Sequence, residues 1–359
     1  MPIIIASHPN VLTTTWAQAV VNKQGLGYQV KKIAITDVDV GTTTRVRVAV
    51  NHNAPEHIPR QWFVKLPSLN WRARLITALP QLLHKEVLFY KHIAATVPLA
   101  LPTVLAAQSH FIKGSTLVLA DIEASGGIPG HSCDVLSLPQ AALVVEQLAR
   151  FHGHFWGKLD DNPGYRWLAG SGLKAEQHLG SILAEPLMKR GLQRAGQLIA
   201  KPLQKLAIRY AQQRNRVMAF MGQGIQTLVH HDCHPGNLFW QQNQPGFLDW
   251  QLVRGGEGIS DIAYFLATAV SPETRRLHER QLLETYRHVL QQQGVVVDFE
   301  HLWQRYRLHL AYPFEAMLMT LSIGGMMDLS SNLELIRRAA AAVEDVDSFS
   351  AIADAAFAR

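Results

Sequence analysis

The spacing of apolar residues changes along the chain, and this change restricts the fold more than any other feature of the sequence. In the first third, β-branched residues run through Tyr28–Val40 and Thr42–Val50, and Arg45-Val46-Arg47-Val48 alternates between polar and apolar side chains. Such alternation is typical of strands with one buried face. From residue 139 onward, the apolar residues recur at helical spacing instead. Strands followed by helices predict an α+β, two-lobed fold.

Glycine, proline and the local spacing of apolar residues locate the strands and the helix of the first third of the chain. Gly41 separates the two strand-like runs, as a hairpin turn requires. A third strand is predicted over Gln61–Leu66, which Pro67 ends, and another over Ser115–Ala120. Between them, Leu79–Ala95 has the spacing of an amphipathic helix.

A Gly- and Ser-rich stretch, Ala124–Gly130, separates the strands from the helices. We therefore predict an N-terminal lobe over residues 1–122 and a helical C-terminal lobe over residues 123–359. Two short strands are expected within residues 228–251. Helices are predicted over residues 139–156, in several pieces between 173 and 221, from Ser260-Asp261 to Val270, and over most of the remainder except 293–298.

Composition limits the class of protein. With 359 residues and 48% hydrophobic content, the chain can fill a sizeable core, and 17% charged residues argues against long disordered stretches. The net charge of +6 comes from scattered Lys and Arg, which predicts no nucleic-acid partner but suits an anionic nucleotide. The cysteines Cys133 and Cys233 form no metal-binding pair. No run reaches the roughly 20 apolar residues of a membrane span, so we predict a cytoplasmic protein.

The residues best suited to catalysis or metal binding lie within 228–251. Asn237 follows Asp232 in one short loop, and Asp249 comes directly after the next apolar run. In phosphoryl-transfer sites of the protein-kinase type, the first Asp accepts the proton of the acceptor hydroxyl, while the Asn and the second Asp hold Mg²⁺ against the phosphates. Mg²⁺ prefers such oxygen ligands. The spacing therefore predicts a phosphoryl-transfer site.

A transition-metal site is the alternative for the same stretch. His230, His231, Asp232, Cys233 and His234 are all possible ligands. However, consecutive side chains rarely converge on one ion, and the sequence contains no second cluster that would complete the shell. A metal site would also leave the asparagine and the second aspartate unexplained.

Three segments together resemble a known family. His230–Phe239 resembles the catalytic loop of the aminoglycoside phosphotransferase and choline kinase-like family, Phe247–Gln251 resembles its metal-binding segment, and Gly258–Tyr264 resembles the helix start that follows. The H-x-D-x-H-P-G-N form is highly specific, and the Asp-Trp-Gln variant favours bacterial relatives of the ecdysteroid kinase-like branch. The resemblance extends from about Val40 to Leu266 and implies a protein-kinase-like fold with an N-terminal nucleotide-binding lobe.

The resemblance implies roles for individual residues. Asp232 is the expected catalytic base, and Asn237 and Asp249 are the expected Mg²⁺ ligands. Lys65 stands where the family keeps a phosphate-binding lysine, and Glu86 stands where its ion partner is expected. Further nucleotide contacts are expected at the phosphate-covering turn and at the hinge that binds adenine, which comprise Gly41, Thr42, Thr43, Asp121, Ile122 and Glu123.

Three residues of the motif are expected to shape the site. His231 replaces the glycine that the family usually has before the catalytic aspartate, so the loop must accommodate a bulky side chain. Asp261 is expected to accept backbone N–H groups at a helix start or to steady the catalytic loop. His234 precedes Pro235 and is expected to favour an extended backbone there.

We therefore predict an ATP- and Mg²⁺-dependent kinase that phosphorylates a hydroxyl group of a small molecule. One alternative is an aminoglycoside or other antibiotic O-phosphotransferase. An alternative of another class is a non-catalytic nucleotide-binding module, although such a protein would be expected to lose the base or a metal ligand, and this chain keeps all three.

The acceptor is predicted from the apolar, Met-rich stretch Ala311–Met319. One interpretation is a packed core helix. The other is a mostly apolar acceptor pocket, with Glu315 as a polar anchor and Tyr312 beside it. Because the later helices have no large acidic excess, we expect an uncharged or singly charged hydroxylated compound, such as a lipophilic alcohol, a macrolide-like polyketide or a choline-like amino alcohol, ahead of a polycationic aminoglycoside.

Overall fold

The computed structural model describes residues 4–71, 81–110, 114–159, 163–168 and 171–357. The chain divides into two compact units. The first, here called the N-terminal unit, comprises Met1–Pro129 and Phe239–Leu252, and the second, the helical unit, comprises Gly130–Leu238 and Val253–Arg359. A separate segment around Asp249 therefore returns to the N-terminal unit. The functional lobes proposed for residues 1–122 and 123–359 remain a prediction.

The N-terminal unit contains a five-stranded antiparallel sheet with strand order β1-β2-β3-β5-β4. Three of its strands lie where the alternating sequence predicts them, and β5 lies within one residue of its predicted start. The strands are β1 (Val30–Val40), β2 (Thr43–His52), β3 (Gln61–Pro67), β4 (Val104–His110) and β5 (Gly114–Ala120). The predicted α+β class is confirmed.

The two faces of the sheet have different neighbours. Val46, Val48 and Val64 point into a hydrophobic core, and helix α1 (Thr14–Val21) contributes Trp16 to this core. Arg45 is the register partner of Lys65, so both side chains leave the sheet on the face opposite this core. The alternation of β2 and β3 thus determines the face from which Lys65 projects.

One helix and one long strand of this unit were not predicted from the sequence. One is helix α1, whose Thr13 side chain accepts a hydrogen bond from the Trp16 N–H. The other is β4, which contains alanine, glutamine and serine where most strands have β-branched residues. Pairing with β5 stabilises β4, and such long-range pairing is not visible in local propensity.

Helix α2 (Leu82–His92) lies within the predicted range of 79–95, and a 3₁₀ turn, Ala94–Thr96, follows it. Residues 79 and 80 lie outside the described residues. Its buried face includes Glu86, Val87 and Phe89. Glu86 therefore lies on the packed side of the helix, although a lone glutamate would usually be exposed.

Short strands surround the motif residues. They are β6 (Ile128–Pro129), β7 (Thr227–Val229), β8 (Leu238–Gln241), β9 (Gln244–Phe247) and β10 (Arg254–Gly256). Strands β6, β8 and β9 form one sheet, and β7 pairs with β10 in another. The β8–β9 turn has positive φ at Gln242 (51°) and Asn243 (59°), as a two-residue hairpin turn requires.

The helical unit contains ten of the described α-helices. These are α3 (Leu138–Phe155), α4 (Ser171–Ala195), α5 (Lys201–Gln212), α6 (Arg214–Met221), α7 (Ile259–Ala269), α8 (Pro272–Gln292), α9 (Phe299–His309), α10 (Ala311–Ile323), α11 (Leu329–Asp345) and α12 (Ser348–Phe357). Every residue of α7 is buried, which places this helix at the centre of the unit. None of the helices in the described ranges is long and apolar enough to cross a bilayer.

The start of α7 differs from the prediction. The sequence predicts that Ser260 and Asp261 cap this helix, but both residues lie inside it and Gly258 occupies the N-cap. The Asp261 carboxylate instead accepts hydrogen bonds from a distant loop. The short side chain of Asp261 can serve either purpose, and only the tertiary contact decides between them.

Candidate active site

Lys65 and Glu86 form a buried ion pair in the N-terminal unit. The Lys65 ammonium donates to both carboxylate oxygens of Glu86, at 2.7 and 3.0 Å. The lysine is 5% exposed and the glutamate is fully buried. A buried charge needs such a partner because leaving water is costly. The partner that the sequence predicts for Lys65 is the one that the structure places beside it.

Asp249 is a second partner of the same ammonium. Its Oδ1 accepts a hydrogen bond from Lys65 Nζ at 3.0 Å, and its backbone has a φ of 59°, in the left-handed region. The next residue, Trp250, stacks on Phe89 of helix α2, with ring centroids 4.1 Å apart and an interplanar angle of 8°. Both rings are fully buried. This stack fixes the Asp249 segment against the helix that carries Glu86.

The ionisable groups of Lys65, Glu86 and Asp249 affect one another's pKa values. Burial raises the pKa of Glu86 to about 7, against the opposing effect of the Lys65 charge. Burial alone would lower the pKa of Lys65, but the carboxylates of Asp249 and Glu86 outweigh it and raise that pKa above its ordinary value. Lys65 therefore stays an ammonium at neutral pH, while Glu86 titrates near neutrality.

The predicted phosphate-covering turn joins β1 to β2. The Gly41 carbonyl accepts a hydrogen bond from Ser68 Oγ at 2.7 Å, which ties the turn to the end of β3. Thr43 is buried, and Thr42 is half-buried. Their role in nucleotide binding stays a prediction.

The predicted hinge carries an ion-pair network that the sequence did not reveal. Arg47 of β2 donates to both carboxylate oxygens of Glu123, at 2.6 and 3.0 Å, and it lies 3.3 Å from Asp121 Oδ2. Asp121 also accepts a hydrogen bond from the Ala124 N–H at 3.1 Å. Ile122 is half-buried, and its carbonyl accepts from the Gly127 N–H at 2.9 Å. The acidic side chains thus brace this segment, and its role as a hinge and its nucleotide contacts stay predictions.

In the helical unit, two side chains orient the carboxylate of Asp232. Tyr264 Oη donates to Oδ1 at 2.6 Å, and Asn237 Nδ2 donates to Oδ2 at 2.9 Å. The Asp232 side chain is 26% exposed, so a ligand can still reach it. Because Asn237 uses its nitrogen for this contact, the carbonyl oxygen is the atom that it offers to a cation. That donor suits Mg²⁺.

A buried network holds the loop that contains Asp232. Asp261 Oδ2 accepts from the His230 N–H at 2.7 Å, and Oδ1 accepts from the His231 N–H at 2.8 Å. His152 Nε2 lies 3.2 Å from the same carboxylate, and His152 Nδ1 lies 3.0 Å from Tyr286 Oη. All these groups except His231 are buried. Of the two roles expected for Asp261, the structure favours holding the loop that contains Asp232, and the catalytic role of that loop stays a prediction.

The His231 position has the backbone of a glycine. Its φ is 71°, and its imidazole stacks on Tyr312 of helix α10, with centroids 4.1 Å apart and an interplanar angle of 19°. The loop therefore accommodates the bulky side chain by laying it against a tyrosine. His234 has an extended backbone, with φ of −78° and ψ of 162°, and its Nδ1 accepts from the Gly236 N–H, in agreement with a role in shaping the loop.

Glu315 is occupied by neighbours within the helical unit. Arg214 Nε donates to its Oε1 at 2.5 Å, and Tyr210 Oη donates to its Oε2 at 2.8 Å. The residue is 1% exposed. These contacts match the core-helix interpretation of Ala311–Met319, and the role of Glu315 as an acceptor anchor stays a prediction without further support.

Several residues around the motif were missed. Tyr264 lies one helical turn after Asp261, and this spacing on one face of α7 was a signal that sequence reasoning had available. Arg47, His152 and Tyr286 carry no such signal, because their partners lie far away in sequence. Within the described part of the chain, no three His, Cys, Asp or Glu side chains are placed to share a metal ion.

Solved structures resemble this chain in fold. A candidate aminoglycoside phosphotransferase from Ralstonia eutropha is similar with a TM-score of 0.52 at 11% identity, over 93% of this chain and 97% of that one. A choline kinase from Streptococcus pneumoniae gives a TM-score of 0.48 at 13% identity, over 92% and 99%. An ethanolamine kinase from Plasmodium vivax gives 0.47 at 12% identity, over 88% and 81%. The chain has a protein-kinase-like fold, as predicted.

The family follows from the sequence comparison. The model of the ecdysteroid kinase-like family matches residues 40–297, which is well over half of the chain, and the chain belongs to this family. No curated protein matches. The predicted resemblance is confirmed, and so is the predicted class of enzyme, a small-molecule kinase with an alcohol group as acceptor.

Proposed function

We propose that the protein uses ATP and Mg²⁺ to phosphorylate a hydroxyl group of a small molecule. The observation that carries the proposal is the position of Lys65 between Glu86 and Asp249, at 2.7 and 3.0 Å. A purely structural ion pair needs one carboxylate. Asp249 is the second carboxylate beside the Lys65 ammonium. When Asp249 binds a cation, the ammonium can leave Asp249 and bind the phosphates instead.

Each residue then has one task in the reaction. The acceptor oxygen bonds to the γ-phosphorus while the bond from that phosphorus to the β–γ bridging oxygen breaks, and ADP leaves. Asp232 orients the hydroxyl and takes its proton, and Lys65 stabilises the negative charge on the phosphates. Asn237 and Asp249 would hold Mg²⁺, which neutralises charge on the β- and γ-phosphates when bound.

Two variants test the donor and the base separately. Wild-type protein should be stabilised against heat by Mg²⁺ and ATP together and should release ADP, and Asp249→Ala should lose the Mg²⁺-dependent part of the stabilisation. Asp232→Asn should keep that stabilisation and lose turnover by a factor on the order of 10² or more. GTP in place of ATP tests the donor preference.

The outcomes discriminate between the alternatives. An unchanged Mg²⁺·ATP stabilisation in Asp249→Ala would exclude this residue as a ligand. Nucleotide binding by the wild type without ADP release, with water or with any compound of the acceptor screen, would favour a non-catalytic module. Full turnover in Asp232→Asn would exclude Asp232 as the base.

For the acceptor, we infer an uncharged or singly charged hydroxylated compound. The support is that acidic side chains of the helical unit are already paired: Glu315 with Arg214, Glu176 with Arg254, and Glu257 with Arg305. A polycation would have to displace these arginines. An ADP-release screen of lipophilic alcohols, macrolides, amino alcohols and aminoglycosides, with mass spectrometry of the product, tests this inference, and turnover confined to aminoglycosides would contradict it.

We also infer a cytoplasmic location. Both cysteines, Cys133 and Cys233, are free thiols, which suits a reducing compartment. Fractionation of the host cell with detection of the protein tests this inference.

A further inference from the structure

The residue before the proposed base has an unfavourable backbone conformation. His231 has a φ of 71°, and a side chain with a Cβ atom is disfavoured in this region. Such conformations persist only where the surroundings impose them, and they occur preferentially at functional sites. The question is therefore what holds His231 in place and what its side chain contributes.

Two neighbours hold the His231 backbone from opposite ends. Its N–H donates to Asp261 Oδ1 at 2.8 Å, and its carbonyl accepts from Tyr312 Oη at 3.3 Å. The peptide bond that begins at this carbonyl leads directly into Asp232. The orientation of the Asp232 backbone therefore depends on a contact made by Tyr312.

The imidazole makes the closest ring contact in this network. It stacks on the Tyr312 ring at 4.1 Å, and Tyr312 in turn contacts the Tyr264 ring, with centroids 5.7 Å apart. Tyr264 donates to Asp232 Oδ1. His231, Tyr312 and Tyr264 thus form a continuous set of rings whose two ends reach the backbone and the carboxylate of the same aspartate.

The imidazole acts here as an uncharged ring. Burial lowers the pKa of His231 well below its ordinary value, and the charges of Arg254, His309, Arg214 and His230 lower it further. Its Nδ1 is buried, with no hydrogen-bond partner in the part of the chain that the structure describes. A ring with this environment contributes through stacking rather than through proton transfer.

We propose that His231 is a positioning residue: its stack on Tyr312 fixes the peptide that precedes Asp232 and so orients the catalytic carboxylate. This inference rests on the proposed kinase function. In this proposal the ring orients Asp232 through its contacts. The strained backbone of His231 is the unfavourable consequence of placing a ring at this position.

Substitutions at position 231 separate the backbone effect from the ring effect. His231→Gly removes both the strain and the ring, His231→Ala keeps the strain and removes the ring, and His231→Phe keeps both. Stability should depend on the backbone strain at position 231, so the Gly variant should unfold at a higher temperature than the Ala variant. Turnover should follow the ring, so both should lose turnover by roughly 10- to 100-fold, while the Phe variant should retain most of it.

The measurements are thermal unfolding and steady-state ADP release from Mg²⁺·ATP with water as the acceptor, which requires no identified substrate. Gln242 provides the matched control, because it is exposed and has a φ of 51° in the β8–β9 turn. Gln242→Gly should also be more stable than Gln242→Ala, and both should keep wild-type turnover.

Each outcome decides the matter. Wild-type turnover in His231→Gly or His231→Ala would show that the ring positions nothing. Loss of turnover in His231→Phe equal to that in the Ala variant would show that the imidazole acts through its nitrogens, and would also overturn the proposal. If the wild type releases no ADP with water or with any compound of the acceptor screen, the proposed kinase function fails and this inference fails with it, whereas an active wild type with fully active variants overturns this inference alone.

Discussion

The buried Lys65–Glu86 pair predicts a specific dependence of stability on pH. Glu86→Gln replaces a titrating carboxyl with a neutral group of the same shape, so the variant lacks whatever pH dependence Glu86 contributes. The Asp249 carboxylate, which accepts a hydrogen bond from Lys65, is kept in both proteins. The comparison therefore isolates the ionisation of one buried group.

The sign follows from the two states of Glu86. Its carboxyl titrates near 4.5 in an unfolded chain and at about 7 in the folded protein, so the folded state binds the proton more tightly. The stabilisation that this provides is fully present below about pH 4.5 and is lost as the pH rises to about 7. Since one pKa unit corresponds to about 1.4 kcal/mol, the wild type should lose about 3 kcal/mol of unfolding free energy relative to Glu86→Gln across this range.

Urea unfolding of both proteins at a series of pH values from about 4 to 8 measures this difference. Glu300→Gln is the control for the substitution itself, because the Glu300 side chain is 68% exposed. A difference between wild type and Glu86→Gln that stays constant with pH would refute the reasoning. A difference that moves in favour of the wild type as the pH rises would show that Glu86 is already ionised in acid, and that Lys65 outweighs burial.

Three further substitutions test the contacts that support the site. Phe89→Ala removes the ring that stacks on Trp250 and should cost about 3–5 kcal/mol in urea unfolding; a cost below about 1 kcal/mol would mean that the stack does not hold the Asp249 segment. Asp261→Asn should destabilise the protein by about 3–5 kcal/mol, because it breaks a buried network, and calorimetry that finds no change in Tm would contradict this. Tyr264→Phe removes one hydrogen bond to Asp232 and should lower the rate of ADP release by roughly 10-fold, the kinetic equivalent of a charged hydrogen bond; an unchanged rate would show that Asn237 alone orients the carboxylate.

The candidate site residues could be predicted from the sequence because that prediction depends on local spacing. Asp232 and Asn237 lie in one short loop, and the loop geometry brings the asparagine nitrogen to 2.9 Å from the carboxylate. The strands were readable for a similar reason, since alternation marks a buried face, as in Val46 and Val48. Helix starts were harder to predict. Asp261 could cap its own helix or accept hydrogen bonds from a distant loop, and its neighbouring residues are the same in both cases.

Only the tertiary structure decided how these local pieces support one another. The partners of Lys65 come from helix α2 and from the segment after β9, and no local pattern encodes their convergence on one ammonium. The sequence left Glu315 either in a packed core helix or as an anchor in an acceptor pocket, and packing gives it Arg214 as a partner. The backbone of His231 is the clearest case: its side chain predicts an ordinary conformation, and contacts with Asp261 and Tyr312 impose a left-handed one. Local propensities amount to roughly 1 kcal/mol per residue or less, so long-range contacts of similar or larger size override them.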